Sequence, residues 1–337
     1  MIAIDGRTEV LAQDYTAMPQ ELPSEDASSL NSFWNRLLRR MDPRYCMASL
    51  EGDLPLDVVV PIIRFKLKSE VKRKAAQHQL YEMTLSKHWE NRLELVAKYG
   101  IIDDLVPLLL ETETRRMALL ILNNLTIPMT NKPYIMDHSN MLEALYRILQ
   151  ELPPETYLAC LCIRHISCPG KPFPERLLTF RTHNDDSGKD LMSLLEMLTI
   201  TFAPYLMMRT DTKALLRSAE AQALTWSTGI VQQISKTFPN QVAERSAYLV
   251  VILKLIQHLS HHVPLHHWKL DMSLGDFCLT IIFQLAQANV PQLRPLLLED
   301  PSYLTYIRGN GIHAMRASWI HGWLLEEGAR QRSTRQA

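Results

Sequence analysis

A three-residue pattern recurs in this chain at intervals of 40 and 41 residues. It stands at Thr84-Leu85-Ser86, at Asn124-Leu125-Thr126 and at His165-Ile166-Ser167. Four more pairs of positions share the interval of 40: Asn91 and Asn131, Gly100 and Asn140, Leu105 and Leu145, Leu109 and Leu149. Self-similarity at this period is typical of helical repeat proteins, in which each repeat buries its apolar face against its neighbours. The repeat therefore predicts an all-α fold, an α-solenoid of the kind that mostly holds partners.

The composition agrees with a helical array and disfavours one class of partner. Hydrophobic residues make up 47% of the 337 residues, glycine contributes only 11, and stretches that alternate like strands are few. Lysine plus arginine equals aspartate plus glutamate, at 36 each. A chain that coats nucleic acid needs a basic excess, so this balance argues against nucleic acid as the partner.

The pattern of polar and apolar stretches predicts five segments. Residues 1–31 are a flexible arm, because their second half is acidic and rich in proline and serine. Residues 32–55 contain a short amphipathic helix that we expect to cap the array. Residues 56–170 hold the readable repeats, and 171–190 form an irregular loop rich in breakers. Residues 191–337 read as further helical repeats with a C-terminal cap helix, whose inner face we expect to include Trp319 and Trp323.

One segment resembles an armadillo repeat. Residues 91–126 read NRLELVAKYGIIDDLVPLLLETETRRMALLILNNLT, with an Asn before a short helix, a Gly turn, an I-x-x-L-V-x-L-L helix and a long helix ending Asn-Leu-Thr. Residues 131–167 match a second repeat, with Asn140 in the place of Gly100, and residues 75–86 match the end of an earlier one. Glycine and asparagine both tolerate the left-handed backbone of such a turn.

The resemblance implies a right-handed armadillo/HEAT-like superhelix. In such proteins the long third helices line a concave groove that binds peptides or other protein segments. Importin-like members grip a peptide with an Asn and with a Trp four residues before it. The Asn position matches Thr84, Asn124 and His165 here, and the Trp position matches Leu80, Leu120 and Leu161. Stacking a lysine stem between aromatic faces requires the aromatics, so the binding of nuclear import signals is not expected.

The groove candidates therefore suit an apolar or mixed segment of another protein. A competing interpretation of Asn124 is a helix-end residue that bonds the local backbone. The predicted partner-binding set combines the residues at the Asn and Trp positions with one tyrosine. It consists of Leu80, Thr84, Leu120, Asn124, Tyr157, Leu161 and His165.

A basic cluster offers an alternative partner class. It consists of Lys66, Lys68, Lys72, Arg73 and Lys74. Such a cluster could contact nucleic acid or another acidic surface. A solvated helix face is the simpler interpretation, because no aromatic residues are interleaved with these charges.

Two clusters could ligate a metal, and neither has the expected pattern. The first is His258, His261, His262, His266 and His267. Residues 258 and 262 lie four apart, but no glutamate takes the place of a metalloprotease base, so a metal-dependent enzyme is a weak alternative. The second is Cys160, Cys162, His165 and Cys168; on a helix the first two point about 200° apart, which favours buried core cysteines.

No motif for phosphate binding, dinucleotide binding, nucleophilic catalysis or zinc hydrolysis stands in the chain. We therefore predict a non-enzymatic scaffold or adaptor without catalytic residues, cofactor or metal. The stretch 191–208 is the most apolar, but it contains Glu196 and Pro204, so no membrane partner is predicted. Five cysteines without a paired framework and no secretory signal predict the cytosol, or the cytosol and the nucleus.

Overall fold

The structure is a computed structural model that is entirely helical where it describes the chain. The predicted arm 1–31 and nearly all of the predicted cap segment 32–55 lie outside the described residues. No strand occurs in the part described, which confirms the all-α prediction. The described ranges are 55–85, 89–168, 171–181, 189–208, 218–262, 273–301, 303–304 and 312–336, without the side chains of 89, 261–262 and 327–336.

The chain divides into two compact units, residues 1–95 and 96–337. The first contains α1 (Leu56–Leu67) and α2 (Glu70–Met83), and α3 (Trp89–Ala97) crosses the division. The second contains α4 (Ile102–Leu110), α5 (Thr112–Thr126), α6 (Asn131–Asp137), α7 (Ser139–Glu151), α8 (Thr156–Ile166), α9 (Glu175–Thr179), α10 (Leu191–Met207), α11 (Ala219–Thr237), α12 (Pro239–Ala243), α13 (Ser246–His262), α14 (Leu274–Gln287), α15 (Leu293–Glu299) and α16 (Ile312–Gln336).

In the first unit α1 and α2 pack against one another. Val60, Ile63 and Leu80 are among the side chains that this packing removes from solvent. The end of α2 is held by a buried arginine, because Arg92 Nε donates to the carbonyl oxygen of Thr84 at 2.6 Å. A buried carbonyl at a helix end needs such a donor, since the last carbonyls of a helix have no partner within it.

The long helices of the second unit form two layers. In the first layer α4, α7, α10 and α13 follow one another, each in contact with the next. In the second layer the same holds for α5, α8, α11 and α14, and each of these also packs on the first-layer helix that precedes it in the chain. The short helices α6, α9 and α12 each precede one such pair. The order of one short and two long helices thus continues after residue 190, where the sequence period fades.

One of the two predicted left-handed turns is present. Gly100 has a φ of 56°, as its place between two helices predicts. The expectation for Asn140 is wrong, because this residue lies in the first turn of α7 and has no positive φ. His138 begins the helix instead, its Nδ1 accepting from the backbone N–H of Met141 at 3.2 Å. A side-chain cap of this kind satisfies an orphan N–H without a left-handed residue.

Two further expectations concern buried residues. Cys160 and Cys162 are completely buried, and burial raises the pKa of both thiols, as expected of core cysteines. Trp323 is buried and its Nε1 donates to Asn289 Oδ1 at 2.8 Å. Trp319 is 41% exposed although its ring contacts Phe283 of α14, so of these two tryptophans only Trp323 is buried. Within the described residues, none of the helices combines the length and the apolar character needed to cross a membrane.

Leu145→Ala tests the two-layer core. Leu145 in α7 is completely buried, so its truncation leaves a cavity between first-layer helices and lowers the free energy of unfolding by about 2–5 kcal/mol. The matched control is Leu298→Ala in α15, where the leucine is 64% exposed and the cost should stay within about 0.5 kcal/mol. Urea unfolding followed by circular dichroism measures both. Equal midpoints for the two variants would contradict the layered core.

Candidate partner-binding surface on the second helix layer

The repeated three-residue pattern ends the second-layer helices. Asn124-Leu125-Thr126 closes α5, and His165-Ile166-Ser167 closes α8. The structure adds a further instance, the fourth in the chain, in the last turns of α11: Gln233-Ile234-Ser235. In each, the hydroxyl donates to the carbonyl oxygen three residues earlier, at 2.6, 2.8 and 3.0 Å. This instance lies 68 residues after His165-Ile166-Ser167, outside the interval of 40 or 41 residues.

The hydroxyl that ends this pattern also reaches the next second-layer helix. Ser167 Oγ, at the end of α8, is hydrogen-bonded to Gln233 Oε1 of α11. One helix further on, Ser235 Oγ donates to Gln284 Oε1 of α14 at 2.5 Å. Each hydroxyl thus contacts both its own helix end and the amide of the next second-layer helix. These serine–glutamine contacts connect neighbouring repeats. Because buried polar groups need hydrogen-bond partners, the contacts explain why polar residues are tolerated at helix ends that are otherwise packed by apolar side chains.

His165 is the first residue of this pattern in α8 and is 9% exposed. Burial lowers its pKa to about 3, with smaller contributions from the nearby cations Arg164 and Lys132. Lys132 Nζ donates to the backbone carbonyl oxygen of His165 at 2.5 Å. The imidazole is therefore neutral at physiological pH, and the residue is a poor candidate for direct contact with a partner.

The predicted groove residues separate by exposure. Leu80 and Thr84 are fully buried in the first unit, where Thr84 Oγ1 donates to the Tyr81 carbonyl oxygen at 2.7 Å. In the second unit Asn124 is 6% exposed, comparable to His165. The candidates with accessible side chains are Leu120 of α5 and Tyr157 and Leu161 of α8.

These accessible residues share one face of two adjacent helices. Leu120 and Leu161 each precede the first residue of the repeated pattern by four positions, so they lie at the same level of α5 and α8. Arg116 and Tyr157 likewise share the level one turn earlier, and the guanidinium is close enough to act electrostatically on the phenol. Met117 is also partly exposed on this side of α5. We call this face, formed by Arg116, Met117, Leu120, Tyr157, Leu161 and Arg164, the α5–α8 face.

Arg164 extends this face toward the following helices, a role that the sequence did not reveal. Its guanidinium lies 5.4 Å from the ring centroid of Trp226 in α11 and 5.2 Å from that of Phe277 in α14. Gly229 provides the room: a Cβ there would stand 3.1 Å from Arg164 Nε and 2.9 Å from the Phe277 ring. Cation–π contacts on two rings hold the cation in one place.

Helix α16 covers the corresponding side of α14. Arg316 Nη1 donates to Asp276 Oδ1 at 2.7 Å and to Thr280 Oγ1 at 2.6 Å. Trp319 packs edge-on against Phe283, with 5.2 Å between ring centroids. The α14 end of the second layer is therefore covered by the chain itself, whereas the other side chains of the α5–α8 face are partly exposed and Arg116 is exposed.

The basic cluster is less continuous than its sequence suggests. Lys66 is 3% exposed, and burial, with a smaller effect of Lys72, lowers its pKa to about 8. Arg73 Nε turns inward and donates to the Leu67 carbonyl oxygen at 2.9 Å. Lys68, Lys72 and Lys74 remain exposed.

The histidine cluster falls mostly outside the described residues. His258 is described and partly buried in α13. His266 and His267, and the side chains of His261 and His262, are not described. Among the residues that are described, no three His, Cys, Asp or Glu side chains come close enough together to hold a metal ion.

Comparison with known proteins leaves the family undefined. No protein-family profile matches the sequence, and no curated protein matches it. A crystal structure of an engineered protein is similar over 80% of this chain and 95% of its own, with 15% sequence identity and a TM-score of 0.46.

Gly229→Ala tests the close approach at Arg164. The added methyl group meets the Phe277 ring at 2.9 Å in the tight core, so we expect a loss of about 1–3 kcal/mol in the free energy of unfolding. Gly322→Ala in α16 is the matched control, because a Cβ there meets nothing within 4 Å and should stabilise the helix by up to about 1 kcal/mol. Denaturation midpoints and tryptophan fluorescence measure both. Stabilisation of both variants would contradict the contact.

His165→Gln tests the buried imidazole, and the chain itself has glutamine at the equivalent positions 233 and 284. The pKa of His165 is about 3 in the folded state against 6.5 as a reference. Below about pH 6.5 the unfolded chain therefore binds a proton that the folded chain does not, so stability falls with falling pH until about pH 3. We expect the variant to lose less stability than the wild type between pH 7 and about pH 4.5. Urea midpoints at both pH values measure this, and equal losses would contradict it.

Proposed function

We propose that this protein is a non-enzymatic scaffold or adaptor that holds a segment of another protein against the α5–α8 face. The observation that carries the proposal is a band of partly exposed apolar side chains, centred on Leu120 and Leu161, on helices whose other sides are deeply buried. An accessible apolar patch with a polar rim is characteristic of protein-interaction sites.

The proposed architecture is a right-handed armadillo/HEAT-like α-solenoid. Two observations support it: the two-layer order of helices in the second unit, and the repeated pattern at the ends of α5, α8 and α11. In solenoids each repeat contacts its neighbours, and the exposed side of one layer forms the binding surface. The second layer corresponds to the long third helices of armadillo repeats.

The two alternative functions receive less support. A binder of nucleic acid or acidic surfaces would use the basic cluster, but Lys66 and Arg73 contact the protein interior. A metal-dependent enzyme would use the histidines of 258–267, most of which lie outside the described residues. The proposed location is the cytosol, or the cytosol and the nucleus, in keeping with Cys160, Cys162 and Cys278 being buried and outside any disulfide.

Leu120→Glu and Leu161→Glu test the proposed function. Binding would bury the new carboxylate against apolar groups of the partner, which is unfavourable. We therefore expect the amount of partner captured from a cell lysate to fall at least tenfold, equivalent to about 1.4 kcal/mol of binding free energy. Leu298→Glu in α15 is the matched control, because that leucine is exposed on another helix. Quantitative mass spectrometry of the captured proteins measures the change. If both variants capture every protein as efficiently as the wild type while the circular dichroism spectrum is unchanged, the proposal is wrong.

A further inference from the structure

We propose that the thiol of Cys168 and the amine of Lys132 form an oxidant-responsive pair, which peroxide converts into a covalent sulfur–nitrogen crosslink. The crosslink would join helix α6 to the end of α8. Neither residue belongs to the α5–α8 face, so the proposal is independent of the proposed function. It concerns a cysteine for which the core packing of Cys160 and Cys162 gives no role.

The two residues converge on one backbone carbonyl at the end of α8. Lys132 Nζ donates to the carbonyl oxygen of His165 at 2.5 Å, and the backbone N–H of Cys168 donates to the same oxygen at 3.2 Å. The thiol of Cys168 turns back toward the helix and donates to the carbonyl oxygen of Ile166 at 3.5 Å. The amine and the cysteine therefore meet at one helix end, although they lie far apart in sequence.

The amine and the thiol also interact with one another. Burial lowers the pKa of Lys132, and the charge of Cys168 and a hydrogen bond between the two side chains oppose this effect. Lys171 adds a smaller decrease through charge repulsion. Because a side-chain hydrogen bond is among these effects, Cys168 Sγ and Lys132 Nζ lie within reach of one another.

Lys132 differs from an ordinary surface lysine because it is buried without a carboxylate. The residue is 6% exposed, and it forms no ion pair with the residues that the structure describes. A protonated amine has three donors, and removing it from water without an opposite charge favours the neutral form. The neutral amine carries a lone pair on nitrogen and is a nucleophile.

Cys168 is the described cysteine that an oxidant in solution can reach. Cys160, Cys162 and Cys278 are fully buried, whereas Cys168 is partly exposed. Its φ of 57° is a left-handed conformation at the position after a helix where glycine is usual. Exposure is one of the properties that make a thiol susceptible to oxidation.

The reaction needs peroxide as its single co-reactant. In the first step Cys168 Sγ attacks the peroxide and the O–O bond breaks, so the sulfur is oxidised by two electrons to a sulfenic acid and one water leaves. In the second step Lys132 Nζ attacks Sγ, the S–N bond forms and the S–O bond breaks, and the hydroxyl leaves with a proton from the amine as a second water. The product is a sulfenamide. A thiol reductant reverses the reaction, because its thiolate attacks Sγ and releases the amine.

Peptide mass spectrometry of the full-length protein after treatment with hydrogen peroxide tests the proposal. We expect a linked pair of peptides that contain Lys132 and Cys168, with their summed mass less two hydrogens, and we expect dithiothreitol to remove the link. The buried Cys160, Cys162 and Cys278 are internal controls and should stay unmodified. The link should form in native protein and be absent from protein treated in urea, because unfolding separates the two residues.

Matched variants identify the reacting atoms. Lys132→Arg keeps a cation that can donate to the His165 carbonyl oxygen but lacks a nucleophilic amine. In this variant the link should be lost, and Cys168 should remain as a sulfenic acid that dimedone labels. Lys171→Arg, at an exposed lysine, is the matched control and should keep the link. Cys168→Ser should lose the link, and Cys46→Ser should keep it.

The comparison of native with urea-treated wild type decides the proposal even if the Lys132 variant fails to fold. A native protein in which peroxide leaves Cys168 unmodified would overturn the proposal. Oxidation of Cys168 to a sulfinic acid, or to a disulfide with Cys46, without the linked peptides would also overturn it. The same holds for a link that persists in Lys132→Arg or that forms equally in urea.

Discussion

The packing of each second-layer helix on the next is the interaction on which the second unit depends. Isolated helices of 11 to 19 residues are marginal in water, and most of their stability comes from the apolar face that they bury. Here α8 and α11 are buried by neighbours on both sides and by the first layer. The serine–glutamine contacts at their ends extend the same packing into polar groups, so apolar burial and hydrogen bonding fix the same helix order.

The accessible face follows from this packing and is not independent of it. Leu120 and Leu161 keep accessible surface because they lie one turn before the level at which the chain bridges its own helices. Asn124 and His165, at that level, are buried by the neighbouring helix. The same side of each helix thus carries a buried residue that contacts the next repeat and, one turn earlier, a partly exposed leucine. The armadillo resemblance places residues of both types in the groove, and so it predicts buried and exposed residues alike.

Much of the fold was readable from the sequence, whereas the candidate site was readable only in part. The armadillo-like pattern of residues 91–126 predicted the helices that are α4 and α5, and residues 191–337 were expected to be helical and contain α10 to α16. The left-handed turn expected at Asn140 is absent, because the side chain of His138 caps α7 and Asn140 lies in the first turn of that helix. Arg164 could not be found, because its role depends on Trp226, Gly229 and Phe277, which are 62 or more residues away in sequence.

Gly229 has a consequence for how the second unit unfolds. In repeat proteins the stability is well described by each repeat and its contacts with the next one alone. By leaving room above α11, this glycine lets Arg164 of α8 reach Phe277 of α14, so three successive second-layer helices share one contact. A link between second neighbours makes partial unfolding of any one of them costly for the other two. We therefore expect α8, α11 and α14 to unfold more cooperatively than contacts between neighbouring helices alone would predict.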